Sequence, residues 1–107
     1  MLYNLIVKLM EPKKNCKLCS RLVDLRNKNK ILFPNFFNDR VLGIGPLNSK
    51  LLIIGLAPGL RGANRTGKIF YGDFSGNLLF SFLKKYNITV NNDEFYEIRN
   101  IRCRITN

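Results

Sequence analysis

The sequence is short of acidic residues, and it contains no histidine and no tryptophan. Asp and Glu together number 7 against 18 for Lys and Arg, which gives a formal net charge of +11 at pH 7. This excess of cations favours a polyanionic partner, because bound cations release the counterions that condense on a phosphate backbone. A basic but otherwise ordinary soluble surface, or the lysine bias of an AT-rich genome, is the alternative interpretation. Charge alone therefore favours nucleic-acid binding without establishing it.

Cysteines and long apolar runs are also scarce. Three cysteines do not make a closed disulfide framework. The apolar residues 1–10 are too few to span a bilayer and are interrupted by Lys8. They also lack the basic start and the small-residue cleavage site of a secretory signal. We therefore expect no membrane association and a cytoplasmic location, where thiols usually stay reduced or bind metal.

What the sequence does contain fits a packed α/β domain. Its 107 residues make one small domain or part of a larger one, and a hydrophobic content of 46% argues against intrinsic disorder. The continuous apolar run 51–54 predicts a strand buried on both faces, as in a parallel sheet covered by helices. Alternation toward the end of the chain predicts a second strand over residues 97–105.

Two helices are expected beside these strands. Apolar residues spaced among Lys, Arg and Asp predict a basic helix over residues 16–30. A second helix is expected over residues 77–86, with Ser75 or Asn77 as its N-terminal cap. The order of helix, strand, long loop, helix and strand is typical of the opening of an α/β domain.

The loop over residues 55–76 follows the first predicted strand. Ligand sites in open α/β sheets lie beyond the carboxyl ends of strands, and loops of this length are usually functional or disordered. Residues 62–68 match most of a nucleotide-binding P-loop, but Ile69 stands where a Ser or Thr hydroxyl should hold magnesium. The P-loop interpretation is therefore disfavoured.

Two segments carry a resemblance to a known family. Residues 55–76 read GLAPGLRGANRTGKIFYGDFSG, and residues 16–23 read CKLCSRLV. The first resembles the first active-site motif of the type-5 uracil-DNA glycosylases, and the second is similar to their CxxC-x-RLV opening. The resemblance is strongest over residues 16–86. It implies that residues 1–107 begin a three-layer α/β/α domain with a parallel central sheet, truncated at its C-terminal side.

The resemblance also implies the chemistry of a base-flipping DNA-repair enzyme acting on DNA that contains uracil. Phe70 would stack on the uracil ring, although a Phe that plugs the loop onto the core is the plainer interpretation. Asp73 would position water or stabilise the sugar cation, although the sequence alone favours it as an N-terminal capping carboxylate of the following helix. Asn64, the second candidate catalytic residue, would bond the base or hold the loop closed. The candidate substrate-binding residues are Gly55, Leu56, Ala57 and Phe70.

A CxxC pair and a third cysteine raise the question of a metal centre. The spacing of Cys16 and Cys19 alone fits zinc, an iron–sulfur cluster or a redox dithiol. The resemblance implies that both are thiolate ligands of a [4Fe–4S] cluster. Residues 105–107 read ITN, as does the family segment that precedes its third ligand, and on that alignment Cys103 is an ordinary strand residue. The alternative alignment makes Cys103 itself the third ligand.

The missing histidine bears directly on the expected activity. The family's second active-site motif is a His-containing loop, so this chain does not contain it. We therefore expect weak activity or none from the chain alone, with a complementing C-terminal fragment as a potential partner. A non-catalytic basic nucleic-acid-binding protein is the alternative function.

Overall fold

The computed structural model describes residue 2, residues 11–89 and residues 101–107. Within these ranges the elements are α1 (Ser20–Leu32), β1 (Leu52–Ile54), α2 (Ala63–Thr66), α3 (Phe74–Lys85) and β2 (Arg104–Thr106). The architecture is α/β, as expected. The short helix α2 lies inside the long loop and was not anticipated.

The two described strands run parallel. Leu52 pairs with Arg104, Ile53 with Ile105 and Ile54 with Thr106. On its other edge, β2 exchanges two backbone hydrogen bonds of 2.9 Å between Ile105 and Ile44, in an isolated antiparallel bridge. The parallel pairing predicted from the apolar run is present, and β2 is enclosed on both edges.

The core lies between one face of this sheet and α3. Ile69 and Ile105 are completely buried there, as is Cys103. Burial in apolar surroundings raises the pKa of the Cys103 thiol, since the thiolate is the form that loses solvation. The remaining buried members of the cluster are Ile44, Leu83 and Ile101.

The outer face of β1 is exposed in the part of the chain that the structure describes. Leu52 and Ile54 are 54% and 68% exposed, whereas Ile53 between them packs against the core. Side chains alternate along a strand, so a layer on one side of the sheet covers only every second residue. Among the described residues no helix covers the outer face.

The helix boundaries also differ from those expected. α1 begins at Ser20, not at position 16, because a turn that closes from Lys13 to Cys16 precedes it. None of its residues is buried. α3 begins at Phe74, and its cap is Asp73 in place of Ser75 or Asn77.

The second strand is shorter than its alternating pattern suggested. Of residues 97–105, positions 97–100 lie outside the described residues. Positions 101–103 belong to a single bridge from Ile101 to Thr89 and a bend, and regular pairing begins only at Arg104. Apolar and polar residues nevertheless alternate from position 101 onward, because the side chains of Ile101, Cys103 and Ile105 are all buried. Burial of every second side chain does not require that each of these residues pairs with a neighbouring strand.

None of the described helices combines the length and the apolar character that a membrane-spanning segment requires.

We predict that Ile69→Ala lowers the free energy of unfolding by about 2–5 kcal/mol, since it removes a fully buried side chain and leaves a cavity. Urea denaturation followed by circular dichroism would measure the change. Ile31→Ala is the matched control, because Ile31 is 81% exposed on α1, and we expect a change within about 0.5 kcal/mol. Equal denaturation midpoints for the two variants would contradict the assignment of the core.

Candidate functional site

The candidate site begins where β1 ends. Gly55 continues the ladder by donating its N–H to the carbonyl oxygen of Thr106 at 2.8 Å, and the chain then leaves the sheet. Leu56 and Ala57 follow at the carboxyl end of the strand, and both are exposed. Three of the four predicted substrate-binding residues therefore lie together at the edge where ligands bind in α/β sheets.

Phe70, the fourth of these residues, is brought back against the first. A Cβ atom at position 55 would lie only 2.6 Å from Phe70 Cζ, so the absence of a side chain at Gly55 lets the ring approach the backbone. The ring is half-buried and also packs against the core cluster. Its backbone has φ 49°, an uncommon conformation for a residue with a side chain.

Asp73 caps α3 and faces the long loop. Its Oδ1 accepts hydrogen bonds from the backbone N–H of Gly76 at 3.0 Å and from the Ser75 hydroxyl at 3.2 Å. Its Oδ2 points at the loop, where a Cβ atom at Gly59 would lie 2.8 Å away and one at Gly62 would collide with it. The carboxylate is thus oriented by the helix N-terminus, which favours negative charge.

Asn64 is tied to a buried amide that sequence reasoning missed. Its Nδ2 donates to Asn38 Oδ1 at 3.0 Å, and its carbonyl oxygen accepts from the Asn38 backbone N–H at 3.1 Å. Asn38 is 2% exposed and donates its own Nδ2 to the carbonyl oxygen of Phe33 at 2.8 Å. The pair therefore joins α2 to the segment that follows α1. No pattern in the sequence marks Asn38, because its role depends on a contact 26 residues away.

The basic residues of the loop differ in the contacts that their side chains make. Arg65 donates Nε to the carbonyl oxygen of Arg61 at 2.7 Å and Nη2 to that of Gly72 at 3.0 Å. Arg61 lies over the Phe33 ring and Lys68 over the Tyr71 ring, at 5.7 and 5.1 Å from the centroids. Arg65 therefore braces the loop, while Arg61 and Lys68 carry charge to its exposed surface.

The P-loop alternative does not match this geometry. α2 occupies the centre of residues 62–68, and Gly67 ends it in a left-handed conformation. A P-loop needs free backbone N–H groups around a phosphate and a helix that starts after the lysine. Here the Asp73 carboxylate packs against Gly62, which places negative charge where a phosphate would bind.

Two of the cysteines precede α1 in the sequence, and the third lies in the core. Cys19 is the residue before α1 and is exposed, and Cys16, three positions earlier, is partly exposed. Cys103 is enclosed in the apolar core. Within the described ranges no group of three or more candidate ligands comes together, whereas a [4Fe–4S] cluster needs four. Cys16 and Cys19 suit two ligand positions, and the described residues do not supply a complete set.

Comparison with known proteins shows the family to which the chain is similar. Residues 42–107 match the family model described as the uracil DNA glycosylase superfamily. The chain is 37% identical over 100 residues to a type-5 uracil-DNA glycosylase of Mycobacterium leprae, covering 85% of this chain and 44% of that protein. It is 36% identical over 96 residues to one of Pyrobaculum aerophilum, covering 79% and 42%. The chain thus spans less than half the length of these relatives.

We predict that Asp73→Ala lowers the free energy of unfolding by about 0.5–2 kcal/mol, because it removes the cap of α3. Asp73→Asn is expected to restore most of this stability, since an amide oxygen also accepts the Gly76 N–H bond. Urea denaturation of both variants measures the difference, with Asp24→Ala on exposed α1 as the matched control. If Asp73→Asn is as unstable as Asp73→Ala, capping is not the structural role of this residue.

The Asn38–Asn64 pair yields a separate prediction. Asn38→Ala and Asn64→Ala should each destabilise the fold by about 1–3 kcal/mol, because each leaves a partner unsatisfied. The double variant should be little worse than Asn38→Ala alone, with a coupling energy of about 0.5–3 kcal/mol. A thermodynamic double-mutant cycle measures this coupling. Asn77→Ala, at an exposed position of α3, provides a control pair with Asn38→Ala that should be additive.

Proposed function

Because the chain belongs to the uracil-DNA glycosylase superfamily, we propose that its loop over residues 55–76 binds a uracil extruded from DNA and takes part in its excision. The relatives it matches are named type-5 uracil-DNA glycosylases. Excision requires removal of the base from the stack, a pocket for it and stabilisation of the departing charge. The activity is proposed for the protein to which these residues belong.

The arrangement of Gly55, Phe70 and Asp73 is the observation that carries the proposal. The tip of the Phe70 ring lies against Gly55, and the Phe70 carbonyl oxygen lies against Gly76. Gly76 in turn donates its N–H to Asp73. An aromatic face, a strand-end backbone and a carboxylate are therefore linked by direct contacts within one loop, which suits a base held between an aromatic ring and a polar backbone.

Each residue has a proposed role in the reaction. Phe70 stacks on the uracil ring, and the backbone of residues 55–57 contacts the edge of the base. Asp73 positions the attacking water or stabilises the oxocarbenium-like sugar through Oδ2, since its hydrogen bonds with described residues go to Oδ1. For Asn64, the bond to Asn38 supports the loop-holding role over direct contact with the base.

DNA is the proposed partner, and charge supports it. The net charge is +11, and Arg61 and Lys68 lie on the exposed surface of the loop. Cations at such positions are suited to phosphate contacts, which position a protein on DNA without reading its sequence. These contacts would make the affinity depend on salt concentration.

A further part of the proposal concerns the cysteine pair and the surrounding fold. Cys16 and Cys19 supply two thiolate ligands of a [4Fe–4S] cluster, in the reducing cytoplasm, where such thiols persist. When bound, the cluster would cross-link the start of α1 to the rest of the protein. The exposed outer face of β1 is assigned to the interior of a three-layer α/β/α arrangement, which accounts for its apolar Leu52 and Ile54.

Non-catalytic nucleic-acid binding is the second candidate function. Its support is the same excess of cations, since sequence-independent binding needs phosphate contacts and no reaction chemistry. It differs from the first function in requiring no preference for uracil and no role for Phe70.

We predict that the protein to which these residues belong, in molar excess over a uracil-containing duplex, produces alkali-labile sites, and that Phe70→Ala slows their formation by about tenfold or more. The reason is that loss of a base–aromatic stack costs about 1–3 kcal/mol. The assay is a single-turnover time course, with a thymine-containing duplex as the substrate control. Phe82→Ala, which removes a ring from the surface of α3, is the matched control and should retain the rate.

Two results would contradict the glycosylase proposal. The first is the absence of alkali-labile sites at high protein excess, and the second is an equal rate for the wild-type protein and Phe70→Ala. Equal affinity for uracil and thymine duplexes that falls with salt, without base release, would instead support the second function.

A further inference from the structure

The turn that carries Phe70 has an unusual backbone. It runs from the end of α2 to the start of α3, and Gly67, Phe70 and Gly72 all have positive φ, at 75°, 49° and 98°. Phe70 is the only one of the three with a side chain, and a residue held in this conformation persists only where its surroundings fix it. Ile69, completely buried beside it, anchors one side of the turn.

Thr66 lies at the base of this turn, and its hydroxyl group contacts both of its ends. The Oγ1 atom is 3.0 Å from the carbonyl oxygen of Gly62, 3.1 Å from that of Tyr71 and 3.4 Å from that of Lys68. It also accepts the Lys68 backbone N–H at 3.3 Å. A hydroxyl has one proton and two lone pairs, so it can accept from Lys68 while it donates to one carbonyl at a time.

The bond from the Thr66 hydroxyl to Gly62 is common in helices, whereas its contacts with Lys68 and Tyr71 are particular to this turn. A Thr in a helix commonly donates to the carbonyl four residues earlier, and this contact reaches only Gly62, the residue that caps α2. The contacts with Lys68 and Tyr71 join residues on either side of Phe70 to one oxygen atom. In addition, a Cβ atom at Gly72 would lie 2.8 Å from the Thr66 methyl group, Cγ2. Both the hydroxyl and the methyl branch of this side chain therefore contact the turn.

We infer that Thr66 is a positioning residue that holds Phe70 in its presented conformation through its hydroxyl group. The catalytic meaning of this role rests on the proposed uracil-binding function, whereas the positioning itself does not. Arg65 supports the same turn through its bond to the Gly72 carbonyl oxygen. Arg65 contacts this turn only at Gly72, after Phe70, whereas the Thr66 hydroxyl contacts Lys68 before it and Tyr71 after it.

The test uses Phe70→Trp, which creates the only tryptophan in the chain. In this background Thr66→Val removes the hydroxyl and keeps the side-chain shape, while Thr66→Ser keeps the hydroxyl. Loss of a net hydrogen bond corresponds to about a fivefold change in an equilibrium constant. We therefore expect Thr66→Val to shift the turn toward other conformations by about this factor, seen as altered emission and acrylamide quenching, and Thr66→Ser to restore the original signal.

Thr89→Val is the matched control, since it removes a buried hydroxyl at the far end of α3 and should leave the tryptophan signal unchanged. Far-UV circular dichroism and thermal melting establish that each variant is folded. The inference would be overturned if folded Phe70→Trp proteins with and without Thr66→Val showed identical quenching. It would also be overturned if Thr66→Ser failed to give the original signal. Because the readout contains no DNA, it holds even if the protein proves to have no glycosylase activity, so the two failures are distinguishable.

Discussion

Burial of Ile69 is the constraint on which the candidate site depends. This side chain lies in the core with Ile105 and Cys103, although it comes from the middle of the long loop. It fixes the loop against the sheet at one point, so the next residue is held at the edge of the core. Phe70 has a positive φ there, and its half-buried ring packs against the core cluster and reaches Gly55 at the end of β1. An apolar contact thus determines where the aromatic face of the site lies.

The sequence predicted the elements that local pattern determines and missed those that depend on distant contacts. The apolar run before Gly55, the long loop after it and the helix that follows were all recognisable, because periodicity and glycine content are local properties. For the start of α3 the sequence offered Asp73 as well as Ser75 and Asn77, because all three are good caps, and only packing against Gly59 and Gly62 selects the first.

The candidate site shows the same division. Gly55, Phe70 and Asp73 were identified through a motif, and the structure brings them into one connected arrangement whose chemical roles remain proposals. Asn38 and Thr66 had no signal, since an amide and a hydroxyl become informative only when their partners are known. The outer face of β1 is exposed among the described residues, because a continuous apolar run indicates that a strand needs cover but does not itself supply the covering element.

The structural and catalytic interpretations of Asp73 are complementary. A carboxylate on a flexible surface side chain would sample many orientations, and a fixed charge near a reacting sugar needs one. Using Oδ1 to cap α3 removes that freedom and leaves Oδ2 directed at the loop beside Gly59. Capping is therefore the means by which the fold orients the charge, so a stabilising role for this residue is no argument against a catalytic one.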